Sequence, residues 1–474
     1  MAQKKSLRKS DYFALSFGMI IGIGWITALG FWIADAGPLG ATVAFCLGFL
    51  FFIPVGFCYS EMAGIYPQMG GPIVYAIKEL SLFTSFIAGW MLALTFFFVI
   101  IFEALSIAWL METLWPESMG PMLYSFMGSD IYLGHILYGV GFNTLLCFVS
   151  LKGGSSSGTI QKLMTAILII IVTVLVVAAL FKGNLDNLSP VFVKSEGGSV
   201  WPGIIAVFGS VPFFLSGFEA IAQGISERDK SVSAKAIANI LILSIACAAL
   251  FYVAIIISAS VVAPRDILIG EELAVAKAFE IGLGSTTLMK VGLIGGLLGL
   301  LSTWNAAIFV FVRAMLALGK TQMIWPGFAK TNKNGISVYS VTITIVLVAF
   351  GVLLGKNAII PLINSSSTAV GILFFIVSLS LIYSRKNRPL SPRPYKAPGG
   401  LALPIIGCLA SLYTVVLTII DPYTPGEGIS LEWWLFGGWM LVGLILWFVG
   451  INSRKKIGMD KEQVISILEN KTFE

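Results

Sequence analysis

The chain has 474 residues, of which 57% are apolar and only 11% charged, with a mean hydropathy of +0.92 and a formal net charge of +6. A soluble protein carries about 25% charged residues, so the polar surface is too small to cover the ~3 soluble domains this length would otherwise form. These figures exclude a disordered chain, a nucleic-acid binder and a conventional soluble enzyme, and they leave the bilayer as the solvent.

A membrane helix needs roughly 20 consecutive apolar residues. Twelve such runs follow in chain order: 12–34, 41–63, 83–110, 131–151, 159–181, 201–225, 236–262, 287–318, 338–355, 358–383, 401–420 and 433–452. The reading is therefore an all-α membrane protein with 12 transmembrane helices. The connections are short. Residues 1–11 form an N-terminal segment, and 453–474, with Lys and Glu interspersed, read as a short solvated tail helix. Ala34-Asp35-Ala36 mimics a signal-peptidase site, but the apolar run before it exceeds the ~7–15 residues of a signal core, and no cleavage is expected.

Charge fixes an expected orientation. With the N-terminus in the cytoplasm, only Lys182, Lys194, Arg265, Lys277, Lys290 and Lys356 of the 30 Lys and Arg lie outside. The inside set includes Lys4, Lys5, Arg8, Lys9, Lys152, Arg228, Lys230 and Lys471. This asymmetry is the positive-inside pattern. It predicts an even number of spans, both termini cytoplasmic, and a multi-pass protein of the cell membrane.

Little conventional enzyme chemistry is visible. The five cysteines (Cys46, Cys58, Cys147, Cys247, Cys408) each sit in an apolar run without a C-x-x-C pair, which fits neither a disulfide framework nor a zinc site. His135 is the only histidine, and no P-loop is present. No enzyme, metal centre or cofactor is expected.

Two spans are interrupted. The first reads Gly18-Met-Ile-Ile-Gly22-Ile-Gly24-Trp25, and each mid-helix Gly costs ~1 kcal/mol relative to Ala. The sixth places Pro212, Gly217 and Glu219 within eight residues. The two spans are five apart, and a Gly/Pro-interrupted pair at corresponding positions points to a transporter binding site. A half-helix N-terminus offers free N–H groups to a carboxylate, and a half-helix C-terminus offers carbonyls to an ammonium or Na⁺. Facing breaks suit a zwitterion.

At this point the sequence resembles the amino acid–polyamine–organocation superfamily of permeases. Gly18 to Ile26 resembles its first-span "G-x-x-x-G-S-G-I-F", and Phe213 to Glu219 its sixth-span "F-x-F-x-G-F-E". Ser302-Thr303-Trp304-Asn305 running to Arg313 is similar to the eighth-span pattern. Glu61, Tyr66, Pro67, Gly70, Gly71 and Tyr75 resemble the loop after span 2, and Arg393-Pro394-Tyr395-Lys396-Ala397-Pro398-Gly399 the link between spans 10 and 11.

The resemblance implies a leucine-transporter-like fold: two inverted five-helix repeats, here 12–200 and 201–400, plus two C-terminal helices in 401–452. It implies alternating access. The substrate carboxylate would meet amides at Ile23, Gly24 and Trp25. The amino group would meet carbonyls near Ile20 and in Phe214, Leu215, Ser216 and the adjoining Gly217. Trp25 stands where a smaller residue is usual, which predicts a reduced pocket and a small substrate. Some proton-coupled members carry a span-5 lysine where this chain has Leu168.

Further candidates follow from position. Phe213 and Phe218 are expected to gate the pocket together with Phe214. Glu219 is read as a gating or coupling acid, or as a helix-end acid bonded to the amides of the break. Ser302 and Thr303, with Gly22, form a candidate sodium site of oxygen ligands, which suit a hard cation. Glu103 lies 20 residues past Phe83, ~30 Å along a helix, and is assigned to the outer end of span 3. Asn364 to Thr368 is a polar patch expected to face inward.

The expected function is a secondary transporter moving a small amino acid by alternating access, coupled to Na⁺ or H⁺ or working by exchange. The alternatives are an amine or polyamine carrier, and a solute sensor of the same fold without flux. The expected partners are the substrate and the lipid bilayer, with no nucleic acid, and the protein is monomeric or a homodimer.

Overall fold

The structure, a computed structural model, describes residues 8–68, 70–151, 157–224, 229, 231–271, 273–420 and 429–469. Lys4, Lys5, Lys152, Arg228, Lys230 and Lys471 of the charge pattern, and the chain beyond 469, fall outside those residues.

Among the described residues, eleven helices are long and apolar enough to cross a membrane, and a shorter apolar one, Val338–Val352, takes the place of the ninth span. Its 15 residues extend ~22 Å. The chain is not purely helical. Between the third and fourth spans, β1 (Met122–Phe126) and β2 (Ser129–Tyr132) form an antiparallel hairpin. Its turn is made by Met127 and Gly128, both at positive φ. This small hairpin lies between spans, and the membrane-spanning architecture is all-helical.

The first span is α1 (Lys9–Ile20) followed by α2 (Gly24–Thr27), with residues 21–23 between them outside helix. From Ala28, still in the right-handed region, the chain runs into α3 (Leu29–Ile65). That helix contains the C-terminal half of span 1 and all of span 2, joined at a sharp bend where Gly37 has φ 75° before Pro38. Next come α4 (Pro72–Glu79) and α5 (Leu82–Leu114), a 33-residue helix buried through the middle of the bundle. Ser81 caps α5 by accepting from the Thr84 N–H at 3.0 Å. Spans 4 and 5 are α6 (Leu133–Leu151) and α7 (Ser157–Lys182).

Span 6 is likewise divided into α8 (Trp201–Leu215) and α9 (Ala220–Gly224). Then follow α10 (Ala234–Val262), the short α11 (Arg265–Gly270) and α12 (Ala274–Leu283), and α13 (Thr286–Lys320). The remainder is α14 (Val338–Val352), α15 (Ile359–Asn387), α16 (Ala402–Ile420), α17 (Leu431–Ile457) and α18 (Lys461–Glu469). Helices five spans apart pack on each other: α10 lies along α3, and α13 along α5.

Two sequence motifs more than 300 residues apart form one ion cluster. Glu61, at the end of span 2 and fully buried, accepts from Arg385 Nη2 at 2.5 Å, Arg393 Nη1 at 2.8 Å and the Ala397 N–H at 2.7 Å. Tyr66 donates to Glu79 at 2.5 Å and accepts from Arg388 at 2.9 Å. Helix α18 is docked here rather than solvated. It buries Val464, Ile465 and Leu468 on one face, packs on α4, and Lys78 pairs with Glu469.

Candidate functional site

The two breaks meet. Gly217, at φ 118°, lies so close to span 1 that a Cβ on it would stand 2.9 Å from the Met19 carbonyl carbon and 3.0 Å from the Ile20 nitrogen. Only glycine adopts that backbone conformation without strain and makes that approach. Pro212 lies in the last turn of α8, and the helix ends at Leu215 with Ser216 extended. The Gly217 N–H that the break leaves without a helical acceptor donates to Glu219 Oε2 at 2.7 Å.

Opposed helix ends border one chamber. Ile23, Gly24 and Trp25 open α2, so their N–H groups have no intrahelical acceptor. On the other side, α1 ends in the carbonyls of Gly18 to Ile21, and α8 in those of Phe214 and Leu215. Thr303 Oγ1 donates to the Gly18 carbonyl at 2.9 Å, with the Ile21 carbonyl at 3.4 Å, and Tyr252 donates to the Ile20 carbonyl at 3.3 Å. The chamber measures about 20 Å³, space for a water-sized solute. Its walls are Gly22 and Gly24 of span 1, Phe96, Val99 and Phe102 of α5, and Phe213 and Phe214 of α8, with Glu103, Tyr252 and Thr303 closing the sides.

The amino acid permease family signature matches residues 8–446. The chain belongs to the amino acid permease family. It is a multi-pass membrane transporter of the amino acid–polyamine–organocation group, not an enzyme. The amino-acid permease RocE of Bacillus subtilis (strain 168) is 24% identical over 481 residues, 97% of each chain. The branched-chain amino acid permease BcaP of the same organism is 22% identical over 472 residues, 96% of this chain and 94% of the relative. The histidine permease HisP of Lactococcus lactis subsp. cremoris (strain MG1363) is 24% identical over 459 residues, 90% of this chain and 91% of the relative. The last two are named for different substrates at similar distance, so likeness alone does not select one.

In this permease, Ile20, Gly22, Gly24, Phe213, Phe214, Ser216, Gly217 and Thr303 line the chamber, whereas Ile23, Trp25, Leu215, Phe218, Glu219 and Ser302 do not. Trp25 is fully buried and meets Phe251 edge-on at 5.8 Å. Its ring packs away from the chamber lining. Phe214 does the narrowing: its ring lies over Gly24 and is held by Trp32 at 4.9 Å and Phe213 at 5.2 Å. Phe218 packs between Tyr59 and Phe374, both 5.3 Å away.

Glu103 is not at the outer end of span 3. Its Oε1 lies 2.5 Å from the point a Cβ on Gly22 would occupy, and Thr303 Oγ1 lies 3.3 Å from the same point. Counting from the start of the apolar run misplaces it, because α5 extends ~50 Å and overruns the ~30 Å hydrocarbon core. The signal that marks it is an acid inside an uninterrupted apolar run, which is functional by default. The span-10 polar patch does not face the chamber either. Ser365 bonds the Glu432 carbonyl at 3.2 Å and Thr368 bonds Thr418 at 2.8 Å, tying α15 to α17 and α16.

Thr303 supplies a hydroxyl beside the Gly18 and Ile21 carbonyls, and the Oγ of the adjoining Ser302 is buried without a partner. The Gly22 carbonyl faces Gly299, 3.8 Å from where a Cβ would stand. The donor set is oxygen only, and it fits a hard monovalent cation. Leu168 occupies the span-5 position beside Gly299.

Proposed function

We propose that this permease is a secondary carrier that moves an amino acid by alternating access between two inverted five-helix repeats, 12–200 and 201–400, with 401–452 as two peripheral spans. The packing of spans 2 on 7 and 3 on 8 supports this pairing, because an n to n+5 exchange maps the contacts onto themselves. Both termini face the cytoplasm, as the charge asymmetry requires.

One observation carries the reading: two interrupted helices point opposite backbone ends into a single chamber. The substrate carboxylate sits at the opening of α2, on the N–H groups of Ile23, Gly24 and Trp25, of which only Gly24 lines the chamber before Phe214 is displaced. The ammonium sits at the carbonyls near Ile20 and of Phe214, Leu215 and Ser216. Gly217 permits the contact of the two breaks, and Glu219 holds that geometry through the Gly217 N–H. The chamber is too small for an amino acid in this conformation, so entry displaces Phe214, with Phe213 behind it, and these two rings form the gate. Phe218 braces the far side. Ser302, Thr303 and the Gly18 and Ile21 carbonyls, next to Gly22, would hold Na⁺, whose transmembrane gradient would drive accumulation of the substrate. Proton coupling and exchange are the other outcomes of the flux measurement.

The test is uptake of labelled amino acids into liposomes containing the purified protein, under imposed Na⁺ or H⁺ gradients or with internal amino acid. Accumulation in any of these arms supports the carrier, and Gly24→Leu abolishes it. Ligand binding without flux in every arm would make the protein a sensor.

A further inference from the structure

We infer that Glu103 receives a positive charge on the side chain of the transported amino acid, so that the permease takes a cationic substrate of the lysine, ornithine or arginine type. This inference rests on the carrier reading of the chamber.

Glu103 is 1% exposed, it lines the chamber, and its Oε2 has no hydrogen-bond partner. The other polar side chains of the wall are committed. Thr303 donates to the Gly18 carbonyl, Tyr252 to the Ile20 carbonyl and Ser216 to the Phe213 carbonyl at 2.8 Å. The rest of the lining is apolar or glycine, and among the described residues no Lys, Arg or His lines the chamber. Glu103 is therefore the one side chain of that lining with a buried oxygen outside any hydrogen bond, and an ionised carboxylate only accepts.

Charge balance then selects the ligand. Backbone ends of the two breaks satisfy the α-carboxylate and the α-ammonium of any amino acid. Where neither a proton nor the Na⁺ proposed beside Thr303 neutralises Glu103, a neutral substrate leaves a lone carboxylate buried in a low-dielectric space, which is costly. A substrate with one more positive charge pairs that carboxylate itself and needs no Na⁺ or proton to neutralise it. Its aliphatic stem meets Val99, Phe96 and Phe102, and its terminal ammonium or guanidinium reaches Glu103.

Binding of lysine, leucine and the decarboxylated analogue of lysine is measured on the full-length protein by thermal stabilisation, and lysine and leucine uptake in liposomes. Wild type is expected to prefer lysine over both others. In Glu103→Gln the lysine-to-leucine affinity ratio falls roughly a hundredfold, the expected loss for removing one partner of a desolvated charge pair. Glu103→Asp, which keeps the charge and shortens the reach, retains part of the preference. That guards against reading a folding defect as lost recognition. A wild type that favours leucine, or a Glu103→Gln variant that weakens both ligands alike, overturns the inference and leaves the carrier intact. Binding of the decarboxylated analogue as tight as lysine overturns the carboxylate contact. A wild type that transports no amino acid overturns the carrier reading itself.

Discussion

The ring of Phe214 rests on Gly24, with its Cδ1 2.8 Å from the place a Cβ of Gly24 would take. A side chain at position 24 and the present ring position exclude each other. Gly24→Ala pushes the ring toward Trp32 and Tyr252, which lie 4.9 and 5.9 Å from it. We expect uptake to fall at least tenfold with the fold retained, and the smaller side chain of Phe214→Leu in that background to recover part of it. Uptake and melting of the single and double variants check this. A Gly24→Ala variant with full activity would count against Phe214 as the gate.

Gly217 and Gly209 lie in the same span under opposite constraints. Gly217→Ala places a side chain at φ 118° against the backbone of Met19 and Ile20, and it should cost about 1–3 kcal/mol in strain alone. Gly209, in α8, has nothing within 4 Å of the point a methyl group would occupy, so Gly209→Ala should be neutral or raise stability by about 0.5–1 kcal/mol. Thermal melting in detergent reads both. Equal melting temperatures would show that the breaks do not touch.

Glu61 is a buried acid with two buried arginines and a main-chain amide around it. Glu61→Ala leaves Arg385 and Arg393 without their counter-charge, and removing one side of such a cluster costs about 3–5 kcal/mol. The expected result is a melting temperature lower by several degrees and a loss of folded yield. Replacing Lys78, whose partner Glu469 is exposed, should change stability by less than about 1 kcal/mol.

Thr303 joins span 8 to the end of α1 through the Gly18 carbonyl. Thr303→Val keeps the volume and removes the hydroxyl. If Na⁺ binds at this oxygen set, added Na⁺ raises the melting temperature of the wild type in proportion to occupancy, and the valine variant loses that increment. A wild type indifferent to Na⁺ but active under an H⁺ gradient assigns coupling elsewhere.

Much of the architecture was legible before folding because its causes are local. Apolar runs of membrane length, the asymmetry of Lys and Arg, and the Gly and Pro residues that weaken helix at 18–24 and 212–217 act within one or two turns of chain. Lipid leaves helix as the default and breaks as the exception, so each signal has one reading. Contacts across the bundle carry no such local mark. That Trp25 turns to Phe251 while Phe214 covers Gly24 depends on how α8 and α10 lie against span 1. Glu103 reaches Gly22 because a 33-residue helix overruns the bilayer and sets its own register. Glu61 meets Arg393 only after spans 2 and 10 come together. Sequence alone determined the spans and their breaks; which side chain faces the chamber was decided by packing, since a helix can present any of its faces until its neighbours are in place.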